Sequence, residues 1–386
     1  MAILFSDSVG ITEKYIWFVS HDGIFSKVNK LTGKLEIIHT DIQEFVDFGN
    51  TIDNILAINN KLYIVNQIGS KMLQYDIEEN SFKPISIPIQ FDVVNWGCFS
   101  LFEKLGDNIC LLARDLSIAL LYDVKQQSFS RDAKLEEMMK QQGIIESGKQ
   151  DFEVVVYENI LYFIGKCTGK ILLWDWQKKV LVDSFLCKEE DEWCYACIDK
   201  DYILLLSVNG AIYIFDKSSF KLINIVNIGN KTRFSYKGII AARDKYFVLP
   251  SLENDIFVID KKDSNLVHKL DVPSDFRKSC YPPDSWSKFH GITKYKNEIW
   301  AANRMYNYYL CIDVMKDRVN WLKIQEIALK DIFDYLVINK KNVHEHFVLL
   351  NDFLEYNNEI DERLKSAKIG KTIWDKCGGC GNDCGK

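Results

Sequence analysis

The stretch LYFIGKCTGKILLWDWQKK, residues 161–179, contains two apolar runs separated by a short polar break. Both runs are rich in β-branched and aromatic residues, and the break carries two glycines, a pattern that predicts a β-hairpin. The second run ends in a large residue followed by Asp175. An Asx side chain at the end of a strand can accept hydrogen bonds from the backbone of the next turn. The stretch therefore predicts a hairpin whose end is fixed by one aspartate.

Six further stretches repeat this pattern at separations of 41 to 53 residues. The marked positions of the seven units are Asn29, Asp76, Asp123, Asp175, Asp216, Asp260 and Asp313. In the first unit Asn replaces Asp, and Gly33 is expected to take the left-handed position of the turn. A period of about 47 residues is typical of a repeat architecture.

A further apolar strand follows most of these turns, as in KLINIVNI (221–228), and another often precedes the first run, as in FEVVVYEN (152–159). Four strands per unit of about 47 residues is typical of a propeller blade. Helical repeats are excluded because the runs are short and β-branched, and a jelly roll would not repeat in sequence. We therefore predict an all-β, seven-bladed β-propeller of four-stranded blades over residues 1–325. Residues 2–5 could complete the last blade or begin the first.

The hairpins that end in aspartate and the NKLTGK turn at residues 29–34 make the chain similar to the β-propeller superfamily of Kelch, NHL and quinoprotein-like repeats. The LLWDW segment (172–176) resembles the WD dipeptide, but the other blades lack Trp-Asp. The paired glycine of Kelch blades and the docking tryptophan of quinoprotein blades are also missing. The resemblance covers about five sixths of the chain and implies the fold alone, so it transfers no site residues.

Composition and charge exclude several classes of function. The chain is 47% hydrophobic and 26% charged, as expected of a folded protein. Its net charge of −6, without a stripe of Lys and Arg, predicts no nucleic-acid binding. The start, MAILFSDSVGITEK, predicts neither a signal peptide nor a membrane span, and we expect a cytoplasmic protein. The amino-acid composition is rich in Ile, Lys and Asn and poor in Pro, which fits an AT-rich bacterial genome.

Polar residues follow an aromatic residue where several blades begin. In a propeller the first strand of each blade borders the central channel, so these positions form one rim. The aromatics are Phe99, Phe152, Tyr195, Tyr236 and Phe289, and the residues after them are Ser100, Glu153, Ala196, Lys237 and His290. Asp53 is equivalent in the second blade. Asp53, Glu153, Lys237 and His290 predict a polar ligand-binding ring, with solvated channel walls or mutual ion pairs as the alternative. His290 is a weak candidate for proton transfer, because an imidazole titrates near neutrality.

Three tryptophans lie in the loops just before first strands, namely Trp96, Trp193 and Trp286. They predict an apolar or sugar-stacking surface on one face, and packing beneath the loops is the alternative. Trp193 begins WCYAC, in which Cys194 and Cys197 have C-x-x-C spacing. Because residues i and i+3 of a regular strand point to opposite faces, we expect no shared metal or redox site there.

After residue 325 the apolar period becomes helical, with Ile327, Leu329, Ile332 and Leu336 in one segment and Val343, Phe347, Leu350 and Leu354 in the next. We predict a helical pair over residues 326–370 and a flexible Cys- and Gly-rich tail over 371–386. Cys377, Cys380 and Cys384 supply three of the four ligands of a structural zinc site. The tail has four alternative roles: a site for zinc or an iron–sulfur cluster shared with a partner, a disordered tail with free thiols, a modified peptide-like segment, or thiol exchange. We expect the body of the protein to hold no cofactor.

These patterns favour a non-enzymatic binding or scaffold protein that presents its rim and channel to a protein, peptide or glycan partner. One alternative is a carbohydrate-active hydrolase or lyase that uses Glu153, His290 and acids of the rim. Another is an accessory protein, or a substrate, in the maturation of its own Cys-rich C-terminal peptide.

Overall fold

The computed structural model describes residues 8–20, 23–39, 42, 52–66, 71–89, 99–113, 118–143, 152–166, 168–187, 192–228, 236–251, 255–276, 289–303 and 307–325. Within these ranges only the backbone is described at residues 52, 53, 66, 290, 302 and 303. The predicted helical pair and Cys-rich tail, and residues 2–5, lie outside the described residues. No helix in the described ranges is long and apolar enough to cross a membrane.

Seven antiparallel sheets of four consecutive strands form the described body, and they confirm the predicted propeller. Blades 1 to 3 consist of β1 (Gly10–Ile11), β2 (Tyr15–Val19), β3 (Phe25–Asn29), β4 (Leu35–His39); β5 (Ile52–Ile58), β6 (Lys61–Asn66), β7 (Lys71–Asp76), β8 (Ser81–Ser86); and β9 (Phe99–Leu105), β10 (Asn108–Ala113), β11 (Ala119–Asp123), β12 (Ser128–Arg131).

Blades 4 to 7 consist of β13 (Phe152–Tyr157), β14 (Ile160–Gly165), β15 (Lys170–Asp175), β16 (Val180–Leu186); β17 (Trp193–Ile198), β18 (Tyr202–Ser207), β19 (Ala211–Asp216), β20 (Leu222–Asn227); β21 (Tyr236–Ala241), β22 (Lys245–Pro250), β23 (Phe257–Asp260), β24 (Val267–Lys269); and β25 (Phe289–Tyr295), β26 (Glu298–Asn303), β27 (Tyr308–Asp313), β28 (Arg318–Lys323). The first strand of each blade contacts the first strand of the next, and β25 contacts β1. The first strands therefore surround a central channel, and the fourth strands lie at the outer edge.

The hydrophobic core is divided among the seven boundaries between blades. Each buried cluster combines side chains from two neighbouring blades, for example Ile16 and Phe18 of blade 1 with Trp300 and Tyr309 of blade 7. The second and third strands are buried on both faces, which explains why their sequences read as continuous apolar runs. Burial of these runs is the main stabilising term of the fold.

The repeated Asx residue caps the turn after the third strand of every blade, as predicted. In blade 4, Asp175 Oδ1 accepts from the backbone N–H groups of Gln177 (3.0 Å) and Lys178 (2.9 Å). In blade 5, hydrogen bonds from Ser218 and Ser219 lower the pKa of Asp216 to about 2. Hydrogen bonds that favour the charged form have this effect on a carboxyl group.

The residue four positions after the Asx residue has a left-handed backbone in six blades. Gly33 has φ +69°, as predicted, and the other five residues are Asn80, Gln127, Lys179, Phe220 and Asp317. In several blades this residue contacts the outer strand of the preceding blade; Lys83 of β8, for example, donates to Gln127. Contact between blades therefore accompanies this uncommon conformation.

The ring closes where blade 7 meets blade 1, without exchange of strands in the described part of the chain. The Gln325 N–H donates to the Gly33 carbonyl oxygen at 2.9 Å, and Lys30 pairs with Glu298 at 2.6 Å. A Cβ atom on Gly33 would lie 1.8 Å from the carbonyl oxygen of Lys323. Closure therefore depends on side-chain packing and on a close backbone approach at Gly33.

The face that carries the Asx turns also contains an ion pair between blades 5 and 6. Lys261 pairs with Asp199, and the Tyr246 hydroxyl donates to Asp199 Oδ2 at 3.1 Å. The two charged side chains are only 14% and 16% exposed. Removal of one partner would leave the other charge largely buried.

One helix, α1 (Ala133–Gln141), lies in the connection between blades 3 and 4. Asp132 caps its N-terminus, with Oδ1 accepting from the Leu135 N–H at 3.2 Å. Leu135, Met138 and Met139 pack into the cluster that joins these blades. The sequence interpretation missed this helix, although an Asp followed by apolar residues three and four apart is a helix-start signal.

Candidate binding site at the channel mouth

Five of the first strands contain a β-bulge close to their N-terminal end. There the register with the second strand shifts, which leaves Asp53, Ser100, Cys194, Lys237 and His290 at the bulge positions. In blade 4 the pairing is regular, and Glu153 occupies the corresponding place after Phe152. We call Asp53, Ser100, Glu153, Cys194, Lys237 and His290 the bulge ring. A bulge redirects a side chain and interrupts pairing, and bulges are frequent beside binding sites.

The structure corrects the predicted register of blade 5. Trp193 pairs with Ser207 at the end of β18, as Phe152 pairs with Gly165 in blade 4. Trp193, and not Tyr195, is therefore the equivalent aromatic residue, and Cys194 replaces Ala196 as the residue that follows it. The error arises because both Trp193 and Tyr195 are aromatic, and no sequence pattern marks which of them precedes the bulge.

The aromatic residues before the bulge ring belong to the core. Phe99, Phe152, Trp193, Tyr236 and Phe289 are each buried in a cluster between two blades. Trp193 is 2% exposed and makes an edge contact with Tyr213, with ring centroids 4.8 Å apart. The expectation of an exposed stacking surface at Trp193 is therefore wrong, because packing between blades buries its ring. Trp96 and Trp286 lie outside the described residues.

Glu153 and Ser100 are bound to neighbouring groups at the channel mouth. The Glu153 carboxylate pairs with Lys166, which follows β14, at 3.0 Å, and both side chains are about one third exposed. The Ser100 hydroxyl donates to the Leu112 carbonyl oxygen at 3.3 Å. A mutual ion pair is the predicted alternative to a ligand contact, and this pair leaves part of both charged groups accessible.

Cys194 lies between charged groups from blades 4 and 6. Its thiol lies within hydrogen-bonding distance of the carbonyl oxygens of Leu206 (3.5 Å) and Tyr236 (3.5 Å). Burial raises its pKa to about 12; Glu153 acts in the same direction, and Lys166 and Lys237 oppose it. The thiol is therefore protonated at neutral pH and acts as a hydrogen-bond donor. It is not a nucleophile there, because only the thiolate is strongly nucleophilic. Glu153, Lys166, Cys194 and Lys237 together form a mixed polar surface.

Cys194 and Cys197 both face blade 6, which corrects the expectation that they point to opposite faces. Cys194 contacts the Tyr236 carbonyl group, and Cys197 interacts with the backbone N–H of Ala241. The bulge at Cys194 removes one step of the alternation. Because three residues of a strand span about 10 Å, the thiols are still too far apart for a disulfide. Both are free thiols.

Glu103 lies further along the channel wall, on β9, and was not among the predicted site residues. Its side chain is accessible to solvent. Burial is the main cause that raises the pKa of Tyr195 on β17, and the charge of Glu103 acts in the same direction. Enclosure by the channel wall raises the pKa of Glu103 to about 7. Alternation from Ser100 points to Phe102 and Lys104, so the bulge hides Glu103 from a sequence pattern.

Several predicted positions remain predictions. The backbones of Asp53 and His290 lie in the bulge ring, but their side chains lie outside the described part of the structure. Cys377, Cys380 and Cys384 also lie outside it. Among the described residues no group of three or more His, Cys, Asp or Glu side chains is placed to hold a metal ion.

No protein-family model matches the chain, and no curated protein matches it. The chain is similar in structure to the computationally designed protein Ika8, with a TM-score of 0.51, 10% identity, and 84% of this chain and 89% of that chain covered. It is also similar to dihydro-heme d1 dehydrogenase NirN (TM-score 0.50, 11% identity, 84% and 67% covered) and to the WD40 β-propeller domain of Doa1 (0.50, 11%, 79% and 93%). At these identities the likeness shows the fold alone.

Proposed function

We propose that this protein is a non-enzymatic binding propeller that receives a polar peptide or glycan at the bulge ring. The observation that carries the proposal is the recurrence of the bulge at the same end of five first strands. A bulge disrupts local pairing, and blade 4 packs in the ring without one.

The residue types at the ring support binding in preference to catalysis. The ring offers a carboxylate, an ammonium group, a hydroxyl and a protonated thiol, and Lys166 beside it adds a second ammonium group. These are donors and acceptors for a ligand with several polar groups. Glu153 is held by Lys166, and the high pKa of Cys194 keeps its thiol out of the nucleophilic form. An enzyme at this place would use His290, or Glu103 with its pKa raised to about 7, as its proton-transfer group.

Binding to glycan and peptide panels tests the proposal with the full-length chain. We expect a hit whose affinity falls at least tenfold in Glu153→Gln and in Lys237→Ala, because each substitution removes a charge from the channel mouth. Lys125→Gln is the matched control, since Lys125 pairs with Asp107 at 2.7 Å in exposed turns at the opposite end of the strands.

The outcomes separate the hypotheses. Binding that both ring variants weaken and Lys125→Gln preserves supports the proposal. A panel without hits, or hits that the ring variants bind equally well, contradicts it. Turnover of a bound glycan that is lost in His290→Ala would replace it with the hydrolase or lyase hypothesis.

A further inference from the structure

Below the bulge ring, one layer of the channel wall contains a single charged side chain. The layer consists of the residue in each first strand that pairs with the third residue of the second strand. We call it the Glu103 layer, and its seven members are Gly10, Leu56, Glu103, Val155, Cys197, Ile240 and Thr293. All seven lie within the described residues, and among them only Glu103 is charged.

The carboxylate of Glu103 has no cation beside it in the described part of the chain. Its state is set by burial and by a hydrogen bond from the Lys104 backbone N–H. The side chain is accessible to solvent, although Leu101, Phe102 and Leu105 around it are at most 5% exposed, so solvent reaches it through the channel. An unpaired carboxylate that is partly removed from water lowers the stability of the fold, and a bound cation would offset this cost.

The other members of the layer form a mainly apolar wall. Leu56 and Val155 are half-buried, and Ile240 is buried. The Thr293 hydroxyl donates to the Val9 carbonyl oxygen at 2.9 Å, so this polar group is already bound. The layer therefore offers a ligand mainly apolar contacts and one carboxylate, which is the usual composition of a small binding pocket.

Glu103 lies within reach of a ligand held at the bulge ring. Glu153 pairs with the fifth residue of β14, and Glu103 pairs with the third residue of β10, so Glu103 is two register steps deeper. Two steps along a strand are about 7 Å. A lysine side chain, with bonds of about 1.5 Å, places its ammonium group roughly 6 Å from its Cα atom, and a hydrogen bond adds about 3 Å.

The layer nearer to the Asx turns favours approach from the bulge ring. It carries two exposed lysines, Lys104 of β9 and Lys294 of β25. Their positive charges oppose the entry of a cation from that end of the channel.

We propose that the Glu103 layer binds the side chain of a lysine in a peptide ligand, an inference that rests on the proposed function and defines its ligand. The four methylene groups of lysine match the apolar wall. Its ammonium group has three N–H donors for the unpaired carboxylate, and such charge-assisted hydrogen bonds are stronger than neutral ones. An uncharged glycan offers no cation to Glu103, so the layer favours a peptide.

Capture of capped pentapeptide libraries by the full-length chain tests the proposal. Two libraries are randomised at four positions without Lys or Arg and carry lysine or norleucine at the centre. We expect at least tenfold more bound peptide from the lysine library. Glu103→Gln should remove this preference, because it replaces the carboxylate with a neutral group of nearly the same shape. Glu137→Gln is the matched control, since Glu137 accepts from Gln141 at 3.0 Å on the exposed face of α1.

Capture of the lysine library should also depend on pH. With a pKa of about 7, Glu103 becomes ionised as the pH rises from 6 to 8, whereas lysine stays protonated. Capture by the wild type should therefore rise severalfold over this range, and Glu103→Gln should abolish the rise. That variant keeps the other titratable groups of β9 and of the strands packed against it, which are Asp53 of β5, Lys104 of β9, Cys110 of β10, and Glu153 and Tyr157 of β13.

A third library, with norleucine at the centre and a free N-terminus, tests the α-ammonium group as the source of the charge. Capture of this library in place of the lysine library would overturn the proposal. Equal capture of the lysine and norleucine libraries, no capture of any library, or a lysine preference that survives in Glu103→Gln would overturn it as well.

Failure of this inference can be distinguished from failure of the proposed function. Equal capture of the lysine and norleucine libraries that Glu153→Gln weakens would leave binding at the bulge ring intact. A lysine preference that is lost in Glu103→Gln, with capture unchanged in Glu153→Gln and Lys237→Ala, would support the Glu103 layer and contradict the bulge ring.

Discussion

Replacement of Gly33 by alanine should open the ring where blades 7 and 1 meet. The added Cβ atom would lie 1.8 Å from the Lys323 carbonyl oxygen, so the end of β28 must move. That movement weakens the hydrogen bond from Gln325 N–H to the Gly33 carbonyl and exposes Ile324, which is now 3% exposed.

The expected loss in the free energy of unfolding is the sum of three contributions. A left-handed backbone costs a non-glycine residue about 1–2 kcal/mol. A lost backbone hydrogen bond adds about 1 kcal/mol, and partial exposure of an isoleucine adds about 1 kcal/mol. We therefore expect Gly33→Ala to lower the free energy of unfolding by about 3–4 kcal/mol.

Urea unfolding followed by tryptophan fluorescence measures this loss. Gln127→Ala is the matched control, because Gln127 occupies the equivalent turn position of blade 3 and already has φ +53°. It should change stability by less than about 0.5 kcal/mol. A loss of only about 1 kcal/mol in Gly33→Ala, equal to the backbone cost alone, would refute the role of the close approach in closing the ring.

Three further predictions concern charged groups and thiols. Asp199→Ala should lower the free energy of unfolding by about 3 kcal/mol, because it leaves Lys261 as a buried unpaired charge. Lys125→Ala, in an exposed pair, should lower it by less than about 1 kcal/mol. Equal losses in urea unfolding would contradict this. The wild type should have a larger free energy of unfolding than Asp216→Asn above about pH 4, and this difference should disappear towards pH 2. The reason is that the pKa of Asp216 is lower in the folded than in the unfolded chain. A difference that does not change with pH would refute the role of the Asp216 charge. Cys194 should resist iodoacetamide at pH 7.5 until the chain unfolds, and rapid native labelling in mass spectra would show that its pKa is not raised.

The fold could be predicted from the sequence because its signal repeats. Each Asx residue ends an apolar run, and the local hydrogen bonds that it makes in the turn depend on few other parts of the chain. Gly33 was predicted to be left-handed because glycine has no Cβ, whereas Gln127 and Phe220 take that conformation in contact with a neighbouring blade. Composition does not reveal such contacts.

The site could be predicted only in part. Glu153 and Lys237 were placed on the rim because the aromatic residue before each one marks the start of a first strand. Cys194 was missed because two aromatic residues, Trp193 and Tyr195, begin this strand, and a bulge has no residue signature that shows which of them it follows. The error also made Trp193 a surface candidate, although the space between blades 4 and 5 requires a large buried side chain there.

The most direct test of the proposed function locates the bound ligand. Two variants carry a new thiol: Ser100→Cys at the bulge ring, and Lys125→Cys in the exposed turn at the opposite end of the strands. Each is alkylated with and without a ligand found in the glycan and peptide panels. The proposal predicts that saturating ligand slows labelling at position 100 at least tenfold and leaves position 125 unchanged. Equal labelling at position 100 with and without bound ligand would contradict binding at the channel mouth.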